Sequence, residues 1–161
     1  MPSFEGSFFL LFSVNFSLEE PILYTVRGGT KMKVNPNKEI NTIDDLEIGT
    51  IFECSWWNMS DFYELVGKTK QSVKLREIRW TTGLGPDGKP EDDPTWRWCH
   101  IVRDEKGNVV PERDQFTGKE KIYTKRVINL PSGGITFKSP NYDGQANVRI
   151  TNSDYTHMYW G

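Results

Sequence analysis

Only four residues in this chain have side chains suited to a soft metal centre or to His- or Cys-based nucleophilic catalysis: Cys54, Cys99, His100 and His157. A tetrahedral zinc site draws its ligands from close, regular pairs such as CxxC or HxxxH. Neither spacing occurs, and adjacent Cys99 and His100 rarely serve one ion together. The four positions predict buried cysteines on strands, acting as small apolar fillers, with no metal bound. Nucleophilic catalysis needs a Ser or Cys on a sharp turn, a His, and an acid that orients the His. Neither histidine has that context. "GLGPDG" (83–88) matches GxGxxG, but "KPEDDP" follows it. Those prolines prevent the helix that would hold a pyrophosphate, and the acids repel phosphate. Acids are common along the chain, and nothing separates Asp61 or Glu64 from ordinary surface carboxylates. The residues therefore point away from an enzyme and from any cofactor, and towards binding.

Two groups of residues suit binding chemistry. Lys68, Lys70, Lys74, Arg76 and Arg79 cluster on one predicted hairpin, and Lys119, Lys121, Lys125 and Arg126 on a later strand. Trp56, Trp57, Tyr63, Trp80 and Tyr123 are interleaved with them, and single-strand nucleic-acid binders combine a basic groove with such stacking rings. The same lysines also fit the wet face or guarded edge of a sheet. The second group is "TWRWC", where Trp96 and Trp98 alternate around Arg97. Exposed, they have the composition of a protein–protein hot spot; buried, they are core on one strand face. The formal net charge of −2 gives no field that would recruit nucleic acid or anionic lipid to the whole molecule. Acidic stretches ("EINTIDDLE", "PDGKPEDDP") stand apart from the basic ones, a separation that suits docking to a protein.

The elements that must position these residues read as short strands. "TIFECSW" (50–56) alternates, with Phe52, Cys54 and Trp56 on one face and Ile51, Glu53 and Ser55 on the other. "DFYELV" (61–66) and "SVKLREIRW" (72–80) flank the turn "GKTKQ" and predict a hairpin. A second hairpin is expected over 99–111 around "DEKGN", and a third from 121–130 to 134–138 around "PSGG". "ANVRITN" (146–152) and "YTHMYW" (155–160) are the last strands. One helical turn is expected within 40–49, with Thr42 as N-cap. Residues 81–94 read as an exposed loop. Trp56, Phe62 or Tyr63, and Leu65 are the expected core, whereas Trp57 at the bend is the ring expected to meet a partner.

At 161 residues the chain fits one domain with its own core. Aromatics make up 13% and carry much of the apolar area. Two cysteines are too few for a disulfide framework, which favours a reduced, cytoplasmic setting. "SFFLLFSVNF", near the start, is too short to span a bilayer and lacks a basic n-region, so no membrane role is expected. Residues 1–31 read as a Phe-rich extension, with Met32 as an alternative start, and 32–161 as a single β domain. The fold class is all-β: a small barrel or sandwich of short antiparallel strands, with at most one short helix near 42–48.

Residues 48–161 resemble a group of small, largely uncharacterised proteins of phages and mobile elements. The likeness rests on "GTIFECSWWNMSDFYELVGKTKQSVKLREI" and continues at "VRDEKGNVVPERDQFTGKE", "YTKRV" and "VRITNSDYTHMYWG". Here the stretch between Trp56 and Asp61 is shorter than in that group, and Trp57 stands where glycine is typical. The resemblance implies a phage-type origin and no particular activity. Three roles are expected from all this: a module binding a host or defence protein, a single-stranded nucleic-acid binder, or a virion component.

Overall fold

The structure, a computed structural model, describes residues 40–142 and 146–160. The expected Phe-rich extension (1–31) lies outside them. The described chain is nearly all β, as its alternation predicts. After a single 3-10 turn (Ile43–Asp45) come β1 (Ile51–Trp56), β2 (Met59–Lys68), β3 (Ser72–Ile78), β4 (Trp80–Gly83), β5 (Trp96–Ile101), β6 (Ile122–Asn129), β7 (Ile135–Phe137), β8 (Asn147–Ile150) and β9 (Tyr155–Tyr159). All pairings are antiparallel. Six strands form a sheet in the order β7-β6-β3-β2-β1-β8, curled into a nearly closed barrel. The order β4-β5-β9 makes a second, smaller sheet. Among the described residues no helix is long and apolar enough to cross a membrane.

Strand β2 explains why both sheets exist. Its run Phe62–Leu65 is buried at every position, so the strand has no wet face. Tyr63 and Leu65 point into the barrel with Phe52, Cys54, Val73, Leu75 and Phe137. Phe62 points out and meets Ile78, Ile101 and Val109 under the small sheet. The expected choice between Phe62 and Tyr63 is therefore resolved as both, each fully buried. Trp56 is corrected: it remains 39% exposed because β1 ends there, at the barrel rim. Trp80 is corrected too, since the chain leaves the β2–β3 hairpin after Ile78 and Trp80 opens β4.

The first hairpin forms as expected up to Ile78, and the one over 121–138 forms as expected. The one over 99–111 keeps its turn, with Gly107 at φ +86°, but its second arm makes only isolated bridges. Its first arm, β5, pairs with β4 and β9 instead. Edges β7 and β8 fail to meet, leaving a cleft of about 340 Å³ lined by Ile40, Phe52, Ile135, Phe137, Val148 and Ile150 among others. Both cysteines are free and buried on strands, and burial pushes the Cys54 thiol up to about 12.

On the outer face of β1, Glu53 is only 2% exposed. Its carboxylate accepts from Ser60 Oγ (2.7 Å), Thr156 Oγ1 (3.0 Å), and Arg149 Nη2 (2.7 Å) and Nε (3.1 Å). The four donors come from β2, β9 and β8, which ties the two sheets at one point. The Arg149 side chain is 65% exposed, so only the anion depends on its partner. Arg149→Met strands that anion and is expected to cost about 3 kcal/mol in denaturant unfolding. Glu53→Gln should recover much of this loss in the double variant. A double variant no more stable than Arg149→Met alone would show that the charge is not what matters.

Candidate binding surface: an aromatic ladder on the small sheet

The alternation in "WRWCHI" sends Trp96, Trp98 and His100 to one face of β5. Their register partners on β9 are Tyr159, His157 and Tyr155. The opposite face carries Cys99, Ile101 and Met158, all buried against the barrel. The six rings therefore form a continuous ladder on the outward face. His157 stacks on Trp96 (ring centroids 4.7 Å apart) and on Trp98 (4.4 Å). Tyr159 meets Trp96 edge-on at 5.3 Å, and His100 leans on Tyr155 at 5.7 Å. Offset and edge-on pairs of this kind suit the ring quadrupoles, and cross-strand pairing holds each ring in place.

Glycines open room beside the rings. A Cβ on Gly83 would lie 3.1 Å from His100 Nε2, and one on Gly85 only 2.8 Å from Trp98 Nε1. The loop after β4 thus lies over the five-membered ring of Trp98. From that loop Glu91 reaches the ladder and pairs with His157 Nε2. The Asp93 backbone N–H, aided by His157, holds the Glu91 carboxyl below its usual range. Arg97 points the other way, with Nη1 donating to the carbonyls of Pro94 and Trp96.

A smaller aromatic group sits at the barrel rim. Trp56 stacks on Tyr142 (5.8 Å, 21°) and touches Trp57 at 5.9 Å. Trp57 is 87% exposed. It opens a two-residue hairpin turn with φ +56°, a conformation glycine normally supplies. The next residue, Asn58, donates through Nδ2 to the Tyr159 carbonyl (2.9 Å), which joins this rim to the ladder. Inside the rim Asp61 accepts from Asn141 Nδ2 (2.9 Å) and Trp80 Nε1 (3.3 Å), and Tyr142 bonds to it as well. Deeper still, Tyr123 donates to Glu77 (3.0 Å). Burial, with Asp61 adding to it, pushes Glu77 above its usual range despite Tyr123 and Lys121.

The basic residues expected to form a binding groove are dispersed. Lys68 follows a bulge at Val66 and caps the 3-10 turn, its Nζ donating to the carbonyls of Leu46 (2.6 Å) and Ile43 (3.1 Å). Arg76 is ion-paired with Glu64 and Glu120. Lys70 and Lys74 are exposed, but at the far end of β2 from Trp57, about 30 Å along a ten-residue strand. Of the interleaved rings, Tyr63 is core and Tyr123 is held by Glu77, so neither is a stacking platform. Trp96 and Trp98 are the expected binding residues that the fold brings together. It adds His100, which shares the parity of Trp96 and Trp98 in "WRWCH", and Tyr155, His157 and Tyr159, whose common parity in "YTHMYW" was the available signal. Among the described residues no three His, Cys, Asp or Glu side chains gather as metal ligands.

Two variants test the rim. Trp57→Gly removes a left-handed backbone cost of about 1–2 kcal/mol and should raise the melting temperature by roughly 2–4 °C. Trp57→Ala keeps the strain and should not. Glu77 gains protons on folding, so its contribution to stability falls as pH rises through its raised value. Glu77→Gln should therefore stabilise the protein at neutral pH and lose that advantage in acid, read by denaturant melts at both.

A scan against protein-family models, a search of curated proteins and a search of solved structures each return no match for this chain.

Proposed function

We propose that this protein acts by binding, not by covalent chemistry, and that the aromatic ladder is its docking face for a protein partner. The carrying observation is the ladder itself: six rings aligned on an outward sheet face, away from both hydrophobic cores. His157 is exposed and the other five rings are half-buried, and contact with a partner would remove the remaining aromatic surface from water. Trp and Tyr are also the residues that dominate binding energy when an interface closes over them. Trp57 and Trp160 are further exposed rings, 87% and 51% exposed. The resemblance of residues 48–161 to phage and mobile-element proteins supports an accessory role inside a host cell, against a host or defence protein. Single-stranded nucleic acid is the second reading. It is supported by exposed Lys70 and Lys74 and weakened by their separation from Trp57 along β2.

Trp96→Ala combined with Trp98→Ala should cut capture of the partner by well over tenfold, at about 2 kcal/mol or more for a central tryptophan. Lys70→Glu with Lys74→Glu should leave capture unchanged. Quenching of tryptophan emission by an oligonucleotide, steeply salt-dependent and lost in the lysine variant, would replace this reading with the second.

A further inference from the structure

We infer that the ladder receives a positively charged segment of its partner, an arginine- or lysine-bearing peptide. The inference rests on the docking reading above and adds the chemistry of the occupant. An aromatic face carries negative quadrupole charge and attracts guanidinium or ammonium groups, tryptophan most strongly. The loop beside the ladder reinforces that sign: Asp87, Glu91, Asp92 and Asp93 stand against the single cation Lys89 in "LGPDGKPEDDPT" (84–95). Asp87, Asp92 and Asp93 are exposed, while Glu91 reaches onto the ladder itself.

The molecule already holds a nitrogen heterocycle in the arrangement a cation would use. The His157 imidazole lies between two indoles, at interplanar angles of 29° and 20°, with a carboxylate at its outer nitrogen. A guanidinium brought to the exposed edge of His157 would find the Glu91 carboxylate there, with Asp92 next to it in the chain. The neighbouring cations do not compete. Arg97 is turned to backbone carbonyls, and Arg103 is paired with Asp154 at the other end of the sheet. A phosphate-bearing ligand meets the wrong charge here. Complementary charge therefore selects a basic peptide over a nucleic acid at this face.

The test uses the full chain and a capped decapeptide of alternating arginine and glycine, followed by tryptophan fluorescence and calorimetry. An alternating glutamate–glycine decapeptide and an oligothymidylate serve as controls. The arginine peptide should bind, weakening as salt rises, and neither control should. Trp96→Ala with Trp98→Ala should weaken binding at least tenfold. Glu91→Gln with Asp92→Asn keeps every ring and should weaken it several-fold, which protects the test if the first variant folds poorly. No binding of the arginine peptide, or binding indifferent to the acidic pair, overturns the inference. If the tryptophan variant still loses the natural partner in that case, the docking reading survives; if the variant keeps the partner, both fall.

Discussion

Glu53 is a carboxylate placed where a carboxylate is costly, and the architecture is organised around that cost. An ion taken from water must be met by enough donors to replace its hydration. Ser60, Thr156 and Arg149 do so, and each comes from a different strand. Satisfying one anion thus fixes β8 beside β1 and sets β9 across their outer face. Apolar contact alone has no such directionality. The interface between Phe62, Ile78, Ile101 and Val109 holds the sheets together, whereas the Glu53 bonds specify how far they can slide.

The two faces of β2 divide the protein's labour. Inward, Tyr63 and Leu65 fill a barrel that is apolar towards the β7–β8 cleft and polar towards Asp61 and Glu77. Outward, Phe62 supports a sheet whose far side is free to display rings. The small sheet works as a mount: Cys99, Ile101 and Met158 are its underside, and the ladder is its upper surface. Rigid, stacked rings lose little conformational freedom on contact, which is why aromatics are efficient in interfaces.

Much of the strand content was legible, because alternation and turn residues are local signals. "TIFECSW", the β2–β3 hairpin and the β6–β7 hairpin all follow from them. The choice of partner strands was not legible, since β5 meets β9 and β1 meets β8 through contacts remote in the chain. That gap hid the site. The parity of Trp96 and Trp98 was visible, but nothing local shows that His157 will lie between them. Glu53 read as one of three outward residues on β1, because burial by a second sheet leaves no mark on a single strand. The partners of the basic residues were illegible for a related reason: that Lys68 meets the 3-10 turn and Arg76 meets Glu64 follows only from the fold.

The pairing of β5 with β9 also has a consequence for how the surface comes into being. Local hairpins such as β2–β3 close short loops and form early, whereas a pairing across distant segments must first meet a larger entropy of closure. While the chain is being made or is refolding, Trp96 and Trp98 therefore exist as loose side chains on a strand without its partner. Only when Tyr155–Tyr159 docks do the rings interleave and acquire a fixed shape. The ladder is thus tied to completion of the fold, and a chain that stops short of β9 carries the tryptophans without the surface.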